Sequence, residues 1–73
     1  MPMYYAETNR GCTLRWDASL ASARRKLISE AGTSINIKLM RKATERDIAW
    51  VRGMGGYVPQ PLLRKRQKEA SGD

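Results

Sequence analysis

The residues of this chain that are able to do chemistry are hydrogen-bond donors and cations rather than catalytic groups or metal ligands. The 73 residues include no histidine and one cysteine, Cys12, so a metal site built from imidazole and thiolate ligands is not expected. The glycines at 53–56 lack the Lys-Ser or Lys-Thr continuation of a phosphate-binding loop. We expect no catalysis, no metal and no cofactor, which leaves the donors of Thr13 and Arg15 as the main candidates.

These two residues belong to a segment with the period of a strand. Apolar and polar residues alternate from Cys12 to Trp16, and successive side chains of a strand point to opposite faces. One face is therefore expected to be buried, and Cys12 to act there as a small apolar residue. The buried face would carry Cys12, Leu14 and Trp16. The outer face would carry Gly11, Thr13 and Arg15.

Two helices are predicted after this strand. Asp17 is a suitable N-cap for the first, whose apolar stripe covers residues 20–31 and which Gly32 ends. Thr33-Ser34 offers a second cap, and the next helix is expected to extend to about Arg52. The chain is thus divided into an N-terminal arm, a strand-helix-helix domain, and a glycine turn with a basic tail. Their bounds are 1–10, 11–52 and 53–73.

The N-terminal ten residues allow a second interpretation. Tyr4, Tyr5 and Ala6 are suited to a strand, and residues 8–11 include the Asn and Gly that tight turns use. In that case the arm forms a hairpin with the strand at 12–16.

The charge balance indicates a polyanionic partner. Fourteen Lys and Arg against seven Asp and Glu give a formal net charge of +7, which favours nucleic acid, DNA or RNA, as the first candidate and an anionic membrane as the second. No stretch approaches the ~20 apolar residues of a membrane span, and the N-terminus does not have the pattern of a secretory signal. We expect a cytoplasmic protein with no membrane association.

A lone strand ahead of two helices requires a partner strand, because its backbone groups cannot be buried unpaired. A domain of this size also buries a modest share of its surface by itself. Both arguments favour a homodimer in which the strand pairs with its copy into a two-stranded antiparallel intermolecular ribbon. Such a ribbon fits the major groove of double-stranded DNA.

This layout resembles the ribbon-helix-helix repressors, most closely the phage Arc and Mnt type. The resemblance lies in Thr13-Leu14-Arg15-Trp16 at the strand and Gly32-Thr33-Ser34-Ile35-Asn36 at the turn, and it covers residues 12–48. It implies a mainly α fold with a short strand, an intertwined dimer, and sequence-specific DNA binding as a transcriptional repressor of phage or plasmid type.

The resemblance also implies which residues contact DNA. Alternate outward strand residues read base edges in that family, and Arg15 is suited to guanine. Glycine departs from the pattern at the first of these positions, so the neighbouring Arg10 is expected to replace it or to contact phosphate. The expected base contacts are Gly11, Thr13 and Arg15. A phosphate is also expected on the N-terminus of the second helix, at Thr33, Ser34, Ile35 and Asn36.

Five further positions depart from the family pattern. Three of them fall where that family carries a buried charged cluster: Thr33, Lys38 and Lys42. Arg24 and Asp47 fall where apolar residues are usual. The alternative function is a small phage or plasmid inhibitor that binds an acidic protein partner through an N-terminal hairpin and an aromatic surface at 50–57.

Overall fold

The structure is a computed structural model that describes residues 2–32 and 34–71, with side chains as far as Arg66. Four antiparallel strands form one sheet in the order β3-β1-β2-β4. The elements along the chain are β1 (Met3–Thr8), β2 (Gly11–Trp16), α1 (Leu20–Ala31), β3 (Ile37–Lys42), α2 (Glu45–Gly53), β4 (Tyr57–Pro59) and α3 (Gln60–Ser71).

The expected ribbon-helix-helix fold is wrong. β2 pairs along its whole length with β1 of the same chain, from Met3↔Trp16 to Thr8↔Gly11, and its other edge pairs with β4. β1 therefore occupies one edge of β2 throughout, and β4 occupies Gly11–Thr13 of the other edge. The strands that pair with β2 belong to its own chain and replace the expected pairing with a copy. The protein is an α+β fold with a four-stranded central sheet, not a mainly α fold with a short ribbon. That two copies associate in another way, as a homodimer, stays a prediction.

The tight turn between β1 and β2 explains this outcome. The hydroxyl of Thr8 donates to the carbonyl of Gly11 at 2.9 Å and accepts from the backbone N–H of Arg10 at 3.1 Å. Gly11 adopts φ +137°, a conformation that side-chain-bearing residues rarely adopt. The alternative hairpin interpretation is thus confirmed, and residues 3–8 are an inner strand rather than an arm.

The second predicted helix is wrong in its first half. Residues 37–42 form β3, which pairs with the free edge of β1 from Tyr4↔Lys42 to Thr8↔Ile37. The helix α2 begins later, at Glu45, and Thr44 is its N-cap. The Thr44 side chain accepts from the N–H of Asp47, while the Asp47 carboxylate accepts from the N–H of Thr44. This reciprocal cap satisfies two donors and marks the helix start.

Helices cover the sheet on both faces. On one face, α2 and α3 bury a cluster of strand and helix residues; its members are Tyr5, Cys12, Val51, Val58 and Leu63. On the other face, α1 buries Ala23 and Leu27 over the β1 side chains Tyr4 and Ala6. The C-terminal region, expected to be a tail, therefore contributes β4 and α3 to the core.

Some predictions about the ends of β2 and α1 are confirmed and others are wrong. Cys12 is fully buried, as expected, whereas Trp16 is 55% exposed because it pairs with Met3 at the extreme end of the hairpin. Ser19 rather than Asp17 caps α1. Gly32 ends α1 as predicted, at φ 87° and with its N–H donating to the Ile28 carbonyl. No helix in the described part of the chain is long and apolar enough to cross a membrane.

Candidate nucleic-acid interface

The strand residues predicted to contact bases lie together on the α1 side of the sheet. Gly11, Thr13 and Arg15 line one cleft with Arg10 and Ile35. The prediction that these three residues share one face of β2 is confirmed, but the prediction that this face is outward is wrong, because α1 partly covers it and Gly11 is buried. The ribbon that would carry these residues into a groove does not exist.

Arg15 is bound to a carboxylate of α1. Its Nη1 donates to Glu30 Oε2 at 2.7 Å, and its Nη2 donates to the other oxygen of the same carboxylate. This paired contact raises the pKa of Arg15 and lowers the pKa of Glu30. The end of the guanidinium that would bind guanine is thereby occupied.

Gly11 and Thr13 have structural roles. A Cβ atom on Gly11 would lie 2.1 Å from the Val58 carbonyl oxygen, so the close approach of β4 requires glycine. Thr13 donates to the Gly56 carbonyl at 3.2 Å. This packing explains why position 11 is a glycine, although the ribbon-helix-helix pattern has a polar residue there.

The expected phosphate contacts at 33–36 lie in a loop that leads into β3. No helix begins at Ser34, Ile35 or Asn36, so the helix dipole that was expected to attract a phosphate is absent at these residues. Thr33, the fourth expected phosphate contact, lies outside the described residues. Asn9 fastens the loop, since its Oδ1 accepts from the N–H of Asn36 at 2.9 Å. Arg10 fastens it too, donating to the hydroxyl of Ser34.

A basic surface lies elsewhere, where α1 meets the edge strand β3. Arg24 and Lys38 border the same hollow, together with the exposed side chains of Leu20 and Leu39, and Arg25 adjoins Arg24 in a second hollow. Lys42 is exposed at the end of β3. We call these four cations the α1–β3 basic surface: Arg24, Arg25, Lys38 and Lys42.

Three carboxylates elsewhere in the described chain form ion pairs with other cations. Asp17 pairs with Lys26 at 3.2 Å, and Glu30 pairs with Arg15. Asp47 pairs with Arg41 and Arg66. None of these ion pairs includes a member of the α1–β3 basic surface, so its four cations form no ion pair with the described carboxylates.

Two other arginines, both partly exposed, pack on aromatic residues of the protein instead. The guanidinium of Arg41 lies 4.7 Å from the centroid of the Tyr5 ring, and that of Arg66 lies 4.1 Å from the centroid of the Trp50 ring. Both also reach the buried carboxylate of Asp47. The sequence offers no signal that separates these structural arginines from those of the surface, since all stand in similar basic segments.

Comparisons with known proteins give no information on the function of this chain, so a function can be proposed only from its fold and its charge distribution. No family model, no curated protein and no solved structure matches this chain. The ribbon-helix-helix resemblance rests on two short motifs, and the fold that it implied is replaced by the four-stranded sheet.

Proposed function

We propose that this protein binds double-stranded DNA through its phosphates, using the α1–β3 basic surface. The observation that carries the proposal is the set of four exposed cations, none of which forms an ion pair within the described residues. Clustered cations of this kind bind DNA by releasing the counterions condensed on its phosphates.

The arrangement favours backbone contacts over base reading. Helices lie on both faces of the sheet, so no two-stranded ribbon is free to enter a groove. Arg15, the best base reader by residue type, is held by Glu30. Binding through phosphates alone fixes position on the duplex and carries little sequence information.

The side chains around the basic surface favour a duplex over a single strand. Proteins that bind single strands stack bases on aromatic rings. The apolar side chains that border the hollows here are aliphatic, including Leu20, Ile28 and Leu39. The exposed aromatic residues Trp16 and Tyr57 border neither hollow.

The experiment is a titration of a mixed-sequence duplex of about 20 base pairs at several salt concentrations. Four phosphate contacts predict a slope of log affinity against log salt of about −3.6. The variant Arg24→Gln/Arg25→Gln/Lys38→Gln/Lys42→Gln should lose most of this slope and at least about tenfold in affinity.

A matched control removes four exposed cations from other parts of the protein. The variant Arg46→Gln/Arg52→Gln/Arg64→Gln/Lys65→Gln has the same net charge as the first variant. It should retain most of the affinity and the slope. Equal losses in the two variants would show attraction by net charge alone and would reject the α1–β3 basic surface.

The titration also separates DNA from the acidic protein alternative. Poly-glutamate presents the same charge without the spacing of a duplex backbone, and it should bind more weakly than the duplex at equal salt. Tighter binding of poly-glutamate, with dependence on the same four cations, would replace DNA by an acidic polypeptide as the partner.

A further inference from the structure

A cleft lies between the C-terminal half of α1 and the strands β2 and β4. It encloses about 340 Å³, which is within the size range of small-molecule sites. It shares no residue with the α1–β3 basic surface. Its lining consists of Thr8, Arg10, Gly11, Thr13, Arg15, Leu27, Ala31, Ile35 and Tyr57.

The walls of the cleft are apolar and include one aromatic ring. Leu27, Ala31 and Ile35 lie on one side, and Tyr57, 47% exposed, lies on β4. The Tyr57 hydroxyl donates to the Arg10 carbonyl, which ties the ring to the β1–β2 turn. The walls therefore suit a flat apolar group.

The polar part of the lining is positively charged. Arg10 is exposed, and its guanidinium donates to the Ala31 carbonyl at 3.3 Å and to the Ser34 hydroxyl, with no ion pair to a described carboxylate. Arg15 Nε is buried and has no acceptor, although the other two nitrogens bind Glu30. None of the described residues that line the cleft carries a carboxylate, and Glu30 is engaged with Arg15. The unpaired charge of Arg10 therefore favours an anionic group as the ligand end that contacts it.

We propose that the cleft binds a small organic anion, a carboxylate carried on an aromatic or similarly flat apolar body. The carboxylate accepts hydrogen bonds from Arg10 at the rim, and the body lies between the ring of Tyr57 and the aliphatic wall formed by Leu27 and Ile35. Two sources share this chemistry: a free aromatic acid, and the C-terminal carboxylate of a peptide that ends in an aromatic residue.

The test is a titration of the isotopically labelled protein followed by backbone amide chemical shifts. The probes are 3-phenylpropanoate, its neutral amide, and a tetrapeptide that ends in phenylalanine with a free or an amidated C-terminus. The free acid should shift the amides of Gly11, Thr13 and Ile35 with saturation in the millimolar range. Its amide should bind at least about tenfold more weakly.

The peptide arm identifies the source of the carboxylate. Tighter binding of the free-carboxylate peptide than of 3-phenylpropanoate would assign a chain terminus, and the reverse would assign a free acid. Equal shifts with the acid and its amide would overturn the proposal, as would the absence of localised shifts up to about 10 mM.

Two variants connect the binding to the cleft. Arg10→Gln should weaken the free acid about tenfold, whereas Arg25→Gln removes an arginine that does not line the cleft and should have no effect. Ala31→Phe fills the space and should abolish the shifts while the remainder of the spectrum is preserved. Neither cleft variant should change duplex binding by the α1–β3 basic surface, so the two proposals fail separately.

Discussion

The carboxylate of Asp47 binds the guanidinium of Arg41 across the junction between β3 and α2. Its oxygens also accept from the N–H of Thr44 at 2.9 Å and lie 3.4 Å from Arg66 of α3. One buried carboxylate thus connects an edge strand and two helices. Asp47 interrupts the apolar stripe of α2 because the carboxylate at this position pairs with Arg41 and Arg66.

Acid should therefore weaken the fold through Asp47. Burial opposes its ionisation, but hydrogen bonds from Arg41 and Thr44 outweigh burial and lower its pKa from 3.8 to about 2. A folded-state pKa below the unfolded value stabilises the fold above about pH 4 and ceases to do so as the pH falls towards 2. Asp47→Asn should lower the free energy of unfolding at pH 7 by about 2 kcal/mol.

Urea denaturation of both proteins at pH 7 and pH 2.5 measures this contribution. The difference between them should shrink at the lower pH, since the native carboxylate is then losing its charge. A difference of equal size at both pH values would assign the effect to packing rather than to ionisation.

Gly11 should not tolerate a side chain. The φ of +137° and a Cβ position 2.1 Å from the Val58 carbonyl oxygen predict that Gly11→Ala destabilises the protein by about 3 kcal/mol. Gly53→Ala is the matched control, because Gly53 is in α2 and an added Cβ would meet nothing within 4 Å. Thermal unfolding of the two variants should show a large loss for Gly11→Ala alone.

Replacement of Arg15 should have little effect on DNA binding. The ribbon-helix-helix hypothesis requires Arg15 to read bases, whereas in the structure it is bound to Glu30. Arg15→Ala should therefore leave the Kd for a duplex within about twofold at constant salt. Loss of preference between two duplex sequences in this variant would restore Arg15 to a reading role.

The thiol of Cys12 should be inert in the folded protein. Cys12 is fully buried, and burial raises the pKa of its thiol, so little thiolate is available at neutral pH. Reaction with a disulfide reagent should be slow in buffer and rapid in denaturant. Rapid modification in buffer would indicate that α3, which packs over Cys12, readily detaches from the sheet.

The sequence predicted individual strands and helix ends better than it predicted which strands pair with each other. The alternation from Cys12 to Trp16 and the glycine at 32 mark real boundaries, because each depends on a local geometric requirement. A helix over residues 37–42 is predicted because Ile35, Leu39 and Met40 have helical spacing. Ile37 and Leu39 are also separated by the two-residue period of a strand, and so short a run does not decide between the two.

A local signal for the true helix start was nevertheless available. Thr44 and Asp47 have the spacing of a capping box, and the interruption of the stripe at Asp47 was the visible sign. The pairing of β2 was harder to predict, because a strand that needs partners can find them in a copy or in its own chain. The choice depended on Tyr57, Val58 and Pro59, which are distant in sequence and form the short β4.

The strand order has a consequence for the growing polypeptide. The first sixteen residues make the two inner strands, and every later strand is added at an outer edge. Val51, Val58 and Leu63, which cover Tyr5 and Cys12, are the last of the central cluster to leave the ribosome. Until these three residues have left the ribosome, the apolar side of the hairpin is exposed, and this is the stage of synthesis at which we expect a chaperone to bind.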